Sequence, residues 1–151
     1  MARAKAKHAG GRPSGEKTRC GGQWTEARYR SFIKSTLRGA TVKWGPIQEC
    51  LKAARTRRGF YRCAICGEEV TATIITTLVN GKKKRVKNAV VDHIEPIIDP
   101  YTGFTTWDAC IERMFCELQN LQCVCYACHK IKCAEEAATA KERRTEGKDD
   151  E

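Results

Sequence analysis

The sequence predicts an α+β protein: a small hairpin-and-helix core clamped by a four-cysteine knuckle and preceded by a basic helical extension. Three observations carry that reading. Asn80-Gly81 lies between two β-rich runs, the strongest short hairpin signal available. Apolar residues recur at helical spacing from Thr25 to Leu37 and from Thr106 to Glu117. Two Cys-x-x-Cys pairs, Cys63/Cys66 and Cys125/Cys128, each bring two thiols to one tight turn.

Taken in order, residues 1–22 are Lys, Arg, Gly and Ala with almost no large apolar side chain. Such a stretch cannot bury enough surface to offset its conformational entropy, so a disordered basic arm is expected. Tyr29, Phe32, Ile33 and Leu37 form the 3, 4, 7, 8 pattern of one helix face, with Thr25 and Glu26 as its start and Gly39 as its end or bend. Gly45-Pro46 marks a turn before a second short helix, Ile47 to Arg55. The run Val70 to Val79 and a return strand from about Arg85 to His93 flank the Asn-Gly turn, and Pro96 and Pro100 then break regular structure. Trp107, Ile111, Met114, Phe115 and Leu118 are the apolar face of the next helix, with Thr106 or Asp108 near its N-terminus. A short strand from Asn120 to Val124 and a final helix from Tyr126 to Arg144 complete the reading, ahead of a charged end. The expected organisation is an arm at 1–22, a basic helical extension at 23–62, the core at 63–138 and a charged tail at 139–151. There is no internal repeat.

Length and charge bound the function. The 151 residues fit one domain plus tails, and no stretch approaches 18 consecutive apolar residues. With basic residues where a signal peptide needs an apolar segment, a soluble, cytoplasmic protein without membrane contact is expected. Ten cysteines in a reducing compartment point to metal before disulfides. Residues 1–62 hold 16 basic and 3 acidic side chains, whereas residues 63–151 hold 12 basic and 15 acidic. A basic half is suited to a polyanion, and the plain alternative is a solubilising tail.

The two knuckles, 58 residues apart, together offer the tetrahedral four-sulfur shell of a structural zinc; the alternative is four buried, reduced cysteines. Asp92-His93 ends the return strand, Asn120 lies in a later loop and His129 directly follows Cys128. Asp and His are ligands for a divalent cation, and an unligated His is a general base near neutral pH. A lone strand histidine is usually a satisfied, half-buried residue, but here two of the chain's three histidines sit beside a carboxylate and a knuckle.

Cys63-x-x-Cys66, Val-Asp92-His93-Ile-Glu-Pro and Asn120-Leu-Gln-Cys-Val-Cys125-Tyr-Ala-Cys128-His129-Lys resemble the zinc-knuckle branch of the HNH endonucleases, whose fold is ββα-metal. The stretch from Asp99 through Trp107 to Phe115 is similar to bacteriophage-encoded members, and the resemblance covers roughly residues 25–135. It implies that His93 activates water, that Asn120 hydrogen-bonds the backbone or ring of His93, and that Asp92 and His129 hold Mg²⁺ or another divalent ion such as Mn²⁺. It implies a structural Zn²⁺ on Cys63, Cys66, Cys125 and Cys128, and products with 5′-phosphate and 3′-hydroxyl ends. The substrate would be double-stranded DNA and the role phage DNA processing or packaging, with terminase or packaging proteins as partners, ahead of homing. Nick or double-strand break, sequence preference, the preferred catalytic metal, the choice of role among packaging, homing and host DNA degradation, and oligomeric state are left open.

Some family members carry a further His where this chain has Cys133: either the ion has Asp92 and His129 with waters and phosphate, which suits Mg²⁺ and leaves Cys133 simply buried, the favoured reading, or Cys133 joins and softens the site toward zinc or another transition metal. Cys20, Cys50, Cys110, Cys116 and Cys123 are read as simply buried, although Cys123 lies close enough to the knuckle to compete for metal. Arg28, Lys34, Arg38, Lys52, Arg55, Arg57, Arg58, Lys82, Lys83, Lys84, Arg85 and Lys130 are the candidate DNA contacts. Lys132 is divided between phosphate binding and solvent, Glu95 is at most a neighbour of the ion, and Trp24, Trp44 and Trp107 are core or lid residues. The competing reading is a zinc-bound, non-catalytic nucleic-acid-binding or regulatory module.

Overall fold

Strand register and helix caps in the computed structural model, which describes residues 15–147, follow the local chemistry of the chain closely. The first 14 residues of the expected arm, and residues 148–151 of the tail, lie outside the described residues. The chain divides into two units at Gly39/Ala40.

In the first unit, β1 (Lys17–Arg19) pairs antiparallel with β2 (Trp24–Thr25), and α1 spans Glu26–Ala40. Residues 17–19, placed in the disordered arm from composition, are therefore a paired strand. The turn between them holds Cys20, Gly21 and Gly22 at φ 53, 62 and 78, a left-handed run that two glycines make accessible. The Thr25 hydroxyl accepts a hydrogen bond from the Arg28 amide at 3.2 Å and caps α1, as its sequence position predicts. No residue of α1 is buried. Its stripe instead packs locally: Trp24 meets Phe32 edge-on at 5.2 Å, Arg28 lies 4.6 Å over Trp24, and Arg19 lies 4.5 Å over Tyr29.

The second unit begins with a 3₁₀ turn (Thr41–Lys43) and α2 (Gly45–Ala54), whose Pro46 sits in the first turn where a missing N–H costs nothing. Three antiparallel strands follow, β3 (Arg55–Arg57), β4 (Phe60–Arg62) and β5 (Glu69–Thr71), in the order β3-β4-β5. Then come the hairpin β6 (Thr73–Thr77) with β7 (Lys83–Lys87) and the strand β8 (Ala89–His93). After a loop, α3 (Trp107–Met114) is capped by the Thr106 hydroxyl. A 3₁₀ turn (Leu118–Asn120) leads into β9 (Leu121–Cys125), which pairs antiparallel with β8 and runs directly into α4 (Tyr126–Glu146).

Two expectations change here. Each β-rich run is two strands: Val70 pairs with Tyr61 in the β3-β4-β5 sheet, and the run that returns from Asn80-Gly81 breaks at Asn88. Asn88 is buried and its carboxamide oxygen accepts from the Tyr126 amide at 3.1 Å, so β8 leaves the hairpin to join β9. The catalytic candidates on β8 therefore do not sit on the Asn-Gly hairpin. Secondly, α2, assigned to a separate basic extension ending at 62, packs into the second unit. Its Cys50 is buried with Leu121 and Cys123 of β9, and Ile47, Leu51 and Ala54 pack around them with Tyr61, Ala89 and Val91.

A second cluster lies at the other face and the end of β9: Val124, on the face opposite Leu121 and Cys123, and Cys125 at the strand's end are buried with Cys63, flanked by Val70, Val90 and Cys128. With both faces covered, β9 is the centre of the unit. α4 extends past Arg144, the expected end, to Glu146. From its last turns Arg143 reaches the loop before α3, donating to the carbonyls of Asp99 at 3.3 Å and Pro100 at 3.0 Å. Gly103 makes this approach possible: it has φ +78, and a β-carbon there would lie 2.8 Å from Arg143 Nη1. Gly103→Ala is expected to cost about 1–2 kcal/mol in urea unfolding, from backbone strain and the guanidinium clash together; Arg143→Ala should recover only the clash part.

Candidate functional site

The first knuckle is the turn between β4 and β5. The Cys63 amide donates to the Glu68 carbonyl at 2.9 Å and the Gly67 amide to the Cys63 carbonyl at 3.0 Å, with Gly67 at φ 73 closing the loop. The second knuckle is the junction of β9 and α4, where the Cys128 amide points at the Cys125 sulfur at 3.5 Å. The two knuckles join through the Cys125 amide, which donates to Cys63 Sγ at 3.2 Å, and through the Ala64 amide on the Cys123 carbonyl at 2.8 Å.

All four sulfurs lie within 4.8 Å of one another, with Cys66 and Cys125 at 4.0 Å. A tetrahedral ion with Zn–S bonds of about 2.3 Å spaces its sulfurs by roughly 3.8 Å. Among the described residues this is the only group of three or more candidate ligand side chains that converges on a point. Burial pushes the Cys63 thiol up, but the amides of Cys66, Cys125 and Ile65 aimed at its sulfur outweigh this and pull it down to about 6. The hydrogen bond with Cys125, helped by burial and the other two thiols, pushes Cys128 up to about 12. Four thiols packed this closely resist ionising together, and a divalent cation removes that conflict. The donor set fits zinc.

Next to this cluster, β8, β9 and α4 assemble the other candidates. Asp92 and His93 end β8, opposite Gln122 and Leu121. His93 Nε2 lies 3.0 Å from the Met114 carbonyl at the end of α3. A carbonyl only accepts, so Nε2 carries the proton and Nδ1 keeps its lone pair. Asp92 Oδ1 faces His129 Nε2 at 3.7 Å, a separation two ligands of one ion with bonds of about 2.1 Å can span. Asp92 Oδ2 is engaged by Lys132 Nζ at 2.9 Å and by the Gln122 amide nitrogen at 3.1 Å.

Two expected roles are corrected. Asn120 does not bond the backbone or ring of His93 through its side chain. Its carboxamide clamps the backbone of Glu95 from both ends, accepting from the amide at 2.8 Å and donating to the carbonyl at 3.2 Å, while its own carbonyl receives the Ile94 amide at 2.9 Å. It thus holds the chain just beyond His93. Cys133 is exposed, not buried, with Sγ 3.5 Å from His129 Nε2. Of the cysteines read as buried, Cys50, Cys110 and Cys123 are, Cys116 is partly so and Cys20 is exposed.

Lys132 is the residue that sequence reasoning undervalued. Its ammonium sits among three oxygens: Asp92 Oδ2, Glu136 Oε1 at 2.7 Å and the His93 carbonyl at 2.7 Å. Burial works against its charge, but the hydrogen bonds with Glu136 and Asp92 prevail and raise its pKa above the ordinary lysine value. It therefore stays cationic throughout the neutral range. Three residues past His129 put Lys132 near the site only if β8 packs under α4, and the same register places Gln122 opposite Asp92.

The basic candidates are scattered by environment. Arg57 pairs with Glu69 at 3.2 Å and stacks on Phe60 at 3.6 Å, and Arg55 Nε donates to the Arg57 carbonyl at 3.4 Å. Lys52, Arg58 and Lys130 are exposed on the second unit, as are Lys82, Lys83, Lys84 and Arg85 on the hairpin; Arg28 and Arg38 are exposed and Lys34 half-buried on α1. Trp44 packs edge-on against Phe115 at 5.7 Å and donates to the Cys116 carbonyl at 2.7 Å, and Trp107 packs on Phe104 at 4.9 Å. Glu95 is exposed and borders an open groove of about 410 Å³ with Asp99, Glu135 and Glu136. Among the described residues no helix is long and apolar enough to cross a membrane. Comparison of the chain with models of known families, with characterised proteins and with solved structures finds no match.

Two expected outcomes test this geometry. The purified chain should carry one zinc, read by elemental analysis, and Cys63→Ser should lose it with a fall in Tm of ~10 °C or more; a metal-free parent with an unchanged Tm in the variant would mean four merely reduced thiols. Lys132→Met should cost about 2 kcal/mol in urea unfolding, and at least about 1 kcal/mol less in an Asp92→Asn background. Equal losses in both backgrounds would rule out a stabilising Lys132–Asp92 pair.

Proposed function

We propose that the protein is a metal-dependent HNH endonuclease with a ββα-metal core, hydrolysing DNA phosphodiesters, with β8, β9 and α4 as the two strands and helix of that core. The observation that carries the reading is the His93 ring: its Nε2–H is committed to the Met114 carbonyl, which leaves Nδ1 as the basic nitrogen, and the preceding residue, Asp92, faces His129 at 3.7 Å.

In this mechanism His93 Nδ1 takes a proton from water as the water oxygen bonds to phosphorus. The bond to the 3′ oxygen then breaks, and the departing oxygen is protonated from solvent, leaving 5′-phosphate and 3′-hydroxyl ends. Mg²⁺ or Mn²⁺, held by Asp92 and His129, would supply charge stabilisation at the phosphate and the leaving oxygen. Asn120 fixes the backbone after His93, and Lys132 holds Asp92 Oδ2 so that Oδ1 is the oxygen turned toward His129. Zinc on the four cysteines would set the start of α4, and Cys128 precedes His129 directly. Losing zinc would therefore displace the ion's ligand. Duplex DNA suits the basic residues, and phage DNA processing or packaging beside a terminase is the setting the family resemblance favours.

One observation favours a non-catalytic zinc-bound module instead: the Lys132 ammonium already neutralises Asp92. Cleavage of supercoiled plasmid separates the readings. Zinc-loaded protein should nick or linearise it with Mg²⁺ or Mn²⁺ and not with the divalent ion omitted. His93→Ala, with unchanged circular dichroism and zinc content, should lose at least ~10²-fold in rate while still binding DNA. Binding without cutting by the parent under every metal condition would assign the chain to the non-catalytic module.

A further inference from the structure

The hairpin β6–β7 has a composition unlike the rest of the chain. From Val70 to Val91 there is no Asp or Glu, while Lys82, Lys83, Lys84, Arg85 and Lys87 supply five cations. The two strands pair with each other and with no other strand. Their register is Thr73 with Lys87, Ile75 with Arg85 and Thr77 with Lys83. Because side chains alternate across a strand, those six residues share one face, and all six are exposed. Lys83, Arg85 and Lys87 thus form a row with a spacing of about 6.8 Å, and Ile75, 63 % exposed, lies beside it. On the other face Ile74, Thr76 and Val86 are half-buried and Lys84 is exposed. The tip is apolar: Leu78 is 42 % exposed and Val79 fully so. None of the five cations forms an ion pair among the described residues.

Five uncompensated charges on one short ribbon repel one another, and exposed Ile75, Leu78 and Val79 gain nothing from water. Both costs vanish against a polyanion that offers phosphates along its walls and apolar edges on its floor. The major groove of duplex DNA, about 12 Å wide, admits a two-stranded ribbon and presents thymine methyl groups there. We infer that β6–β7 is a docking arm that lies in the major groove, with Lys83, Arg85 and Lys87 on the phosphates and Val79 against base edges. The inference takes nucleic acid as the partner from the reading above, and it is independent of catalysis.

The test uses the full, zinc-loaded chain without Mg²⁺ or Mn²⁺, so that binding is read apart from cutting. Affinity for a fluorescent duplex of about 30 base pairs is measured against salt, since each phosphate contact adds about 0.9 to the slope of log K on log salt. Lys83→Gln/Arg85→Gln/Lys87→Gln should lower that slope by about 2–3 and the affinity by ~100-fold near 0.1 M salt. Val79→Ser should weaken binding several-fold with the slope unchanged. Circular dichroism and zinc content serve as fold controls, because the substituted side chains are exposed. Dimethyl sulfate footprinting reads the groove, with guanine N7 in the major groove protected by the parent and not by the triple variant. An unchanged slope in the triple variant, equal losses on single strands and duplex, or protection of adenine N3 in the minor groove alone would each overturn the arm. Duplex binding with N7 protection but no cutting under any metal would sink the nuclease reading and leave the arm standing. Cutting by the parent with unaltered binding in the triple variant would do the reverse.

Discussion

Four thiols converge between the β4–β5 turn and the start of α4, and the geometry of the whole second unit is referred to that point. The fully buried side chains are few, with Met114, Val124 and Cys63 the largest. A core this thin has little apolar burial to set against chain entropy, and a crosslinking ion on the four cysteines would add what packing does not. The amides of Cys66, Cys125 and Ile65 already hold Cys63 toward its thiolate, so part of the cost of metal binding is met by the backbone. β9 transmits this anchor: its second knuckle is continuous with α4, and Leu121, Cys123 and Val124 are buried.

From that anchor follows the arrangement around Asp92. Its carboxylate is divided, with Oδ2 given to Lys132 and Gln122 and Oδ1 turned to His129. A half-buried carboxylate without partners would be costly, so the lysine supports the fold and also decides which oxygen is presented. Lys132 spans Asp92, the His93 carbonyl and Glu136, so one ammonium ties β8 to α4 where the proposed chemistry would occur. The His93 tautomer is set differently, by the carbonyl that ends α3. An element remote in sequence thus determines which ring nitrogen is free to take a proton.

Local signals were legible wherever a few neighbouring residues decide the outcome. Thr25 and Thr106 cap the helices they precede and Asn80-Gly81 turns a hairpin, whereas Gly45-Pro46, read as a turn before α2, forms its first residues. The limits of the β-rich runs were not, because Asn88 interrupts one of them by satisfying the Tyr126 amide from the far end of the domain. Composition likewise could not separate a free arm from Lys17–Arg19, whose pairing depends on a turn of Cys20 and two glycines. Asn120 was identified, but its partner was not: whether a carboxamide reaches a ring or a neighbouring backbone depends on loop geometry that spacing does not encode.

By itself the sequence determined which donors are available and that they come in pairs: two Cys-x-x-Cys turns, Asp92 beside His93, and His129 beside Cys128. Covalent adjacency makes these local facts. Only the tertiary structure decided that the two knuckles share one point, that Asp92 faces His129, that Lys132 occupies the remaining oxygen and that Cys133 stays exposed at the ring of His129. Each of those depends on strand register and on the rotation of α4 over β8, where one residue of slip would turn every side chain to the opposite face.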